Sequence, residues 1–301
     1  MKILLVLVKT MGDVILINNI VDKIRKKYPK SKIDVCVNSI YKDIIDENPY
    51  INDILLCDDW LKNWGTIFNF ILNKNYDEYM IPQQLTGEDN IWHQVDLYRH
   101  NHLLNFYLYR CRLPLVDITE QKLKMYVKDK IEFEPIIKGY GDYCIIHTTS
   151  GANIKNWNID NFQKLALKIK KEFKIKVLQL GIKNDNALIF LENIIDCRDK
   201  YTLKEQYLLC KNAKFMVGID SGLSFIAGAS GCPTIKIHGP SNIITSGGFG
   251  KNIYHILAET EERCKNKRCH GIFKGQCKYT KPCVNNITVD NILIKIKEVV
   301  K

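Results

Sequence analysis

The stretch MKILLVLVKTMGDVILINNIVDKIRKKYP (residues 1–29) holds a strand, a tight turn and a helix in that order. Residues 2–8 form a continuous apolar run, the pattern of a strand covered on both faces in a parallel sheet. Val14, Ile17, Val21 and Ile24 then recur at spacings of 3, 4 and 3, which draws one apolar stripe along a helix. The Arg25-Lys26-Lys27 cluster suits the negative end of that helix, and Pro29 forbids its continuation. The run 2–8 is far shorter than the roughly 20 residues of a membrane span. It also lacks the longer apolar region and cleavage site of a secretory signal, so the expected location is cytoplasmic.

Outward from this unit the pattern repeats. Strand-like runs lie at 32–37, 53–57 and 79–81, a helix-like segment at about 60–73, and one long aromatic-rich helix over 91–111. The alternation restarts at Tyr143 with YCIIH and a Ser-Gly loop. A helix follows from about 160, opened by Asp160 with Gln163 as a capping box. Strands are expected at 175–180, 214–219 and 233–237, and Thr202 with Glu205 opens another helix as a second capping box. Residues 112–142, with Pro114 and Pro135 and no long period, form the boundary. Two α/β halves, 1–140 and 141–301, each with a mostly parallel sheet, are therefore expected.

Composition narrows the classes. Of 301 residues 46% are apolar and 26% charged, which excludes a disordered or fibrous chain. The net charge of +11 favours an anionic partner, although lysines such as Lys26, Lys27, Lys168, Lys170 and Lys171 also suit solvent faces of helices as background composition. No RNA-recognition, zinc-finger or helix-turn-helix signature accompanies the charge, so nucleic acid is not the expected partner. Eleven cysteines is a high count; several, such as Cys36, Cys144 and Cys232, lie in apolar runs as small core residues. Reduced thiols are expected in a chain of this size.

In open parallel sheets ligands bind at the carboxyl ends of strands, so the strand-to-helix loops carry the candidate chemistry. In Lys9-Thr-Met-Gly12-Asp13, Gly12 permits a tight turn and Asp13 stands at a helix N-terminus, as a cap contributing ~1 kcal/mol or as a reactive carboxylate. In His147-Thr-Thr-Ser150-Gly151-Ala-Asn-Ile-Lys155-Asn-Trp157, small residues leave N–H groups open to an anion and Lys155 supplies countercharge. Asp220-Ser221-Gly222 leads into a helix start that suits a phosphate. Neither a Walker ending nor a GxGxxG fingerprint is present, which argues against a P-loop enzyme or a dehydrogenase. His93, Arg99, His100, His102, Arg110 and Arg112 lie on or beside the aromatic helix, either gripping an anionic acceptor or forming a solvated face. Cys264, Cys269, Cys277 and Cys283 fall within 20 residues and suit a structural zinc or iron ion, free thiols or disulfides.

Three of these pieces, MKILLVLVKTMGDVIL, SGANIKNW and VGIDSGLSFIAGASGCPTIKIHGPS, resemble glycosyltransferase family 9, the heptosyltransferase-like enzymes. The resemblance implies a GT-B fold, two Rossmann-like domains with parallel sheets facing a central cleft. Residues 1–140 would bind the acceptor and 141–301 a nucleotide-sugar. It further implies an inverting transfer, commonly of heptose from ADP-heptose, to a hydroxyl of a lipopolysaccharide core or related surface glycan. The acceptor would be an anionic glycan or glycolipid, with peripheral association at the inner membrane face. Carried over, the family's catalytic carboxylate falls on Asp13 and its donor lysine on Lys155. The diphosphate contacts fall on Ser150, Gly151, Asp220, Ser221 and Gly222, and a nucleoside contact near Asp185. Gly12, Arg99 and His100 would lie on the acceptor side. No cofactor is expected for catalysis, since no Asp-x-Asp triplet occurs, and some family members carry a structural metal near the cysteine cluster. Phe225 departs from the family's usual His, so a phosphate or leaving-group contact is missing or falls to a backbone donor. The competing expectations are a GT-B transferase or epimerase using a UDP- or GDP-sugar, and a non-catalytic nucleotide- or nucleic-acid-binding module.

Overall fold

The computed structural model describes residues 1–58, 74–82, 101–258 and 282–300. The chain divides into two compact units, Met1–Lys128 and Asp129–Lys301. Among the described residues, no helix is long and apolar enough to cross a membrane.

In the first unit the apolar run becomes strand β1 (Lys2–Val6), buried from Ile3 onward. It pairs in parallel with β2 (Lys32–Val37) on one side and β4 (Glu78–Met80) on the other, while β2 pairs with β3 (Asp53–Leu56). The order is β3-β2-β1-β4. The expected first helix is in two pieces, α1 (Met11–Val14) and α2 (Leu16–Lys27), and the stripe Val14, Ile17, Val21, Ile24 is fully buried as its period requires. Asn18 and Asn19 are buried beside the stripe. Asn18 Nδ2 donates to the carbonyls of Ile44 and Lys124 at 3.1 and 3.0 Å, and Asn19 Nδ2 donates to that of Lys122 at 2.9 Å. A buried amide left unpaired costs ~1–3 kcal/mol, so these two residues fix where segment 122–124 runs along α2.

The long aromatic helix expected over 91–111 begins, among the described residues, only at Leu103. Helix α3 (Leu103–Arg110) is capped by His102, whose Nδ1 accepts the Leu104 N–H at 3.0 Å. Residues 91–100 and the helix-like 60–73 lie outside the described residues.

The second unit opens with α4 (Glu134–Tyr140) and strand β5 (Tyr143–His147). It continues through α5 (Ile159–Phe173), β6 (Lys176–Gln179), β7 (Ile194–Asp196) and α6 (Leu203–Asn212). Then come β8 (Met216–Ile219), α7 (Gly222–Ala229), β9 (Thr234–His238), α8 (Ile243–Ser246), β10 (Ile253–Leu257) and α9 (Val289–Val299). The six strands run parallel in the order β10-β9-β8-β5-β6-β7. The Thr202–Glu205 capping box is present. The Asp160–Gln163 box is not. Asn158 caps α5 by accepting the Asp160 N–H at 2.8 Å, and Gln163 instead accepts the Ile189 N–H at 2.7 Å.

Phe162, Leu165 and Ile169 of α5 join Ile292, Leu293 and Ile296 of α9 in one core cluster with Ile235 and Ile237 of β9. Alternation along β9 therefore turns Thr234, Lys236 and His238 to its other face, where all three are fully buried. Seven of the eight described cysteines are buried. Burial pushes the Cys36 and Cys232 thiols up to about 12, which makes them packing residues rather than nucleophiles.

Gly181 follows β6 with φ +138°, and a Cβ there would meet Asp185 Oδ2 at 2.0 Å. Asp185 Oδ2 in turn accepts the Ile182 N–H at 2.9 Å, closing the turn. Gly181→Ala should therefore destabilise the protein by about 2 kcal/mol or more, read as a lowered urea midpoint with unchanged slope.

Candidate active site

Each sheet reverses its strand order at one place, and loops leaving the carboxyl ends of the strands there flank a crevice. In the first sheet that place lies between β1 and β4, and in the second between β5 and β8. The three candidate loops follow β1, β5 and β8.

After β1, Thr10 holds the N-cap position of α1, so Asp13 is not the cap. Asp13 lies in the first turn, with both carboxylate oxygens engaged. The Thr10 hydroxyl donates to Oδ2 and the Tyr107 hydroxyl to Oδ1, each at 2.7 Å. Gly12 lies within α1 beside it, without a positive φ. Tyr107 comes from α3 and is buried. Its role had no signal in the sequence, where it is one aromatic among several.

After β5, the loop is stitched down on two sides. The Thr148 hydroxyl donates to the Asn186 carbonyl at 2.6 Å, and the Thr149 hydroxyl accepts the Asn186 N–H at 2.8 Å. Trp157 is buried edge-on against Phe162, with ring centroids 4.9 Å apart, and its Nε1 donates to the Ile287 carbonyl at 2.9 Å. Two of the N–H groups expected to be open are occupied within the loop. That of Ser150 donates to Asn156 Oδ1 at 2.8 Å and that of Ala152 to Ser150 Oγ at 3.2 Å. Gly151 is exposed, and a Cβ there would meet nothing within 4 Å.

Lys155 closes a short 3-10 turn and points its Nζ at Asp220 Oδ2, 2.8 Å away. Asp220 follows β8 and is buried. Its other oxygen, Oδ1, accepts a hydrogen bond from Lys236 Nζ at 3.1 Å. Lys236 is wholly buried, with its Nζ 3.9 Å from the centroid of the Phe225 ring. Burial opposes ionisation of Asp220, but the ammonium groups of Lys236 and Lys155 outweigh it and hold the carboxyl well below the usual range. In TIKIH nothing but a partner distant in sequence marks Lys236 as buried, since a lysine between isoleucines suits an edge strand equally well.

Beside this group His238 Nε2 meets His255 Nδ1 at 2.8 Å, and His255 Nε2 meets the Gly248 carbonyl at 3.0 Å. A carbonyl only accepts, so His255 carries its proton on Nε2, and His238 in turn donates from Nε2. Burial, reinforced by the Lys236 charge, lowers the His238 pKa to about 3; burial also lowers that of His255. Ser221 Oγ, His238 Nδ1 and Ser241 Oγ are buried without a hydrogen-bond partner among the described residues. Ser221 caps the start of α7 just beyond β8, His238 is the last residue of β9, and Ser241 follows it three positions on.

Asp185 is placed differently from a ligand-facing carboxylate. Its side chain is 8% exposed and folded into its own turn, 3.8 Å from His147 Nδ1, while its carbonyl accepts from Arg198 at 2.8 Å. Of the basic groups near the aromatic helix, His102 is a buried cap, and Arg110 and Arg112 line a hollow of about 410 Å³ with Tyr109, Leu113 and Leu115. His93, Arg99 and His100 lie outside the described residues, as do Cys264, Cys269 and Cys277; Cys283 is half-buried.

Two parallel sheets with the same reversal of strand order, one with a carboxylate turn and the other with a buried cation cluster, define the GT-B class of α/β protein. The family model for glycosyltransferase family 9 (heptosyltransferase) matches residues 109–273, and the chain belongs to that family of glycosyltransferases. Lipopolysaccharide heptosyltransferase 3 of Escherichia coli (strain K12) is 23% identical over 293 residues, covering 82% of this chain and 85% of that protein. The E. coli ADP-heptose lipopolysaccharide heptosyltransferase II structure superposes with a TM-score of 0.74 at 15% identity, over 100% of this chain and 98% of that one. The iron-containing dodecameric glycosyltransferase TibC from enterotoxigenic E. coli gives 0.69 at 17% identity, over 100% of this chain and 77% of that one. At such identities the two structural likenesses establish fold.

Two outcomes follow. Tyr107→Phe removes one of the two hydroxyls that orient Asp13 and should lower turnover about tenfold while leaving nucleotide affinity unchanged, as measured by steady-state kinetics and calorimetry. A histidine kept neutral by burial takes up its proton more readily when unfolded. Stability should therefore fall as pH drops from about 6.5 toward 3, by up to about 1.4 kcal/mol per pH unit for His238, and His238→Phe should flatten that slope in urea titrations.

Proposed function

We propose that this enzyme transfers heptose from ADP-heptose, with inversion, to a hydroxyl of a lipopolysaccharide-core or related surface-glycan acceptor. The observation that carries the reading is the Lys155–Asp220 pair at the reversal point of the second sheet, beside the first turn of α7. Cationic groups and open N–H donors at that place suit a diphosphate. The names of the family and of its relatives point to heptose and to lipopolysaccharide.

In this reading the 141–301 half binds the donor and the 1–140 half the acceptor. Asp13 accepts the proton of the acceptor hydroxyl as that oxygen attacks the anomeric carbon. The bond from that carbon to the diphosphate oxygen breaks, and its electron pair leaves with ADP. Lys155, the Ser221 hydroxyl and the N–H groups of Gly151 and Gly222 stabilise the charge that develops there. Asp220 contributes by orienting Lys155, not by touching the phosphates, since like charges repel. Asp185 contributes by shaping the loop that borders the nucleoside. Gly12 leaves the approach to Asp13 uncrowded, and Arg99 and His100 supply positive charge for an anionic acceptor. Such an enzyme works in the cytoplasm, at the inner face of the membrane when the acceptor is a glycolipid. Cys264, Cys269, Cys277 and Cys283 hold a structural zinc or iron ion, a reading favoured by their spacing and by an iron-containing structural relative.

Asp13→Asn should lower transfer at least about a hundredfold while ADP affinity stays within about twofold of wild type. Unchanged turnover would remove Asp13 from the chemistry. A thermal-shift comparison of ADP-heptose with UDP- and GDP-sugars tests the donor, and stabilisation by a UDP- or GDP-sugar alone would replace it.

A further inference from the structure

The buried amine of Lys236 has no place in the reading above, and its surroundings give it one. Asp220 sends one oxygen to Lys155 and the other to Lys236, so two ammonium ions share a single carboxylate. The neighbouring imidazoles of His238 and His255 are linked in neutral tautomers and add no charge. Among the described residues one positive charge therefore remains unbalanced. Lys155 is 18% exposed along its side chain, Asp220 6% and Lys236 not at all, so the imbalance is presented outward through Lys155. Uncompensated charge in a desolvated site is costly unless an anion meets it. The start of α7 and the unpartnered Ser221 hydroxyl stand at the same place.

We propose that Lys236 is a positioning residue for the diphosphate of the donor. It occupies half of Asp220 and so prevents that carboxylate from neutralising Lys155, leaving the cluster one positive charge in excess. Phe225 completes the device by covering the Lys236 ammonium with its ring face, a contact that balances part of the burial without adding negative charge. The diphosphate assignment rests on the reading given under Proposed function; the charge imbalance does not.

The test is a comparison of binding by calorimetry for ADP, AMP, adenosine and inorganic pyrophosphate. In Lys236→Met the cluster becomes a neutral Lys155–Asp220 pair. The dissociation constants of ADP and pyrophosphate should rise at least about tenfold, that of AMP less, and that of adenosine not at all. Removing the carboxylate charge as well, in D220N/K236M, restores the single positive charge on Lys155 and should recover most of the lost affinity. A residue that merely supported the fold would weaken all four ligands alike and would not be rescued. Should K236M fail to fold, K236Q, which keeps a hydrogen-bond donor for Asp220 without the charge, repeats the comparison with D220N/K236Q as its double variant. Equal losses for adenosine and ADP, no loss at all, or no recovery in the double variants would overturn the proposal. Wild-type protein that binds pyrophosphate but not ADP would sink the donor assignment alone. Wild-type protein that binds neither would sink both.

Discussion

A single carboxylate divided between two ammonium ions organises the second unit. Asp220 is reached by Lys155 from the loop after β5 and by Lys236 from the middle of β9. These meet because β5, β8 and β9 are neighbours in the sheet and all run the same way. Buried ion pairs seldom stabilise a fold better than well-packed apolar residues of similar size would. Exposed pairs such as Lys168–Asp290 contribute at most about 1 kcal/mol. The fully buried Lys236 is thus poorly explained by stability and well explained by electrostatics directed at a ligand.

The first unit obeys the same geometric rule with opposite charge. Its sheet has the order β3-β2-β1-β4, and the loop after the central strand β1 carries Asp13. The Thr10 hydroxyl is local to the turn, whereas Tyr107 arrives from a helix far along the chain. A short-range bond sets the position of the carboxylate and a long-range one sets its direction. The buried amides of Asn18 and Asn19 act similarly, tying a late segment of the unit to its first long helix.

Which of this could be read from residue order depends on the range of the interaction. The apolar runs at 2–8 and 143–147 are local patterns that produced the strands expected, and the stripe Val14-Ile17-Val21-Ile24 produced a buried face that runs over two short helices in place of one. The placing of the loops that carry Asp13, Lys155 and Asp220 after β1, β5 and β8 was legible because small residues and charges cluster within a few positions of each apolar run. The cap of α5 was assigned to Asp160 when Asn158 holds it, since both residue types serve at a helix start and only backbone dihedrals separate them. Strand β7 (Ile194–Asp196) is too short to show a period, and it exists because β6 offers it an edge. Tyr107, Lys236 and His255 were invisible for one reason: each gains its meaning from a partner that pattern alone cannot bring near. The resemblance to the family pointed to Lys155, Asp13 and Asp220 as candidates but said nothing of Lys236.

The indole of Trp157 has a temporal consequence. Two residues before it stands Lys155, and its own N–H is bonded to the carbonyl of Ile287, close to the last helix of the chain. Asn158 repeats the link through Asn285. During synthesis the Rossmann strands of the second unit can emerge and pair well before residues 285–287 have left the ribosome. Until then the bonds of Trp157 and Asn158 to that segment are unmade. The loop that carries Lys155 is thus fastened to this segment only after residues 285–287 have been made, later than every strand of the sheet it projects from.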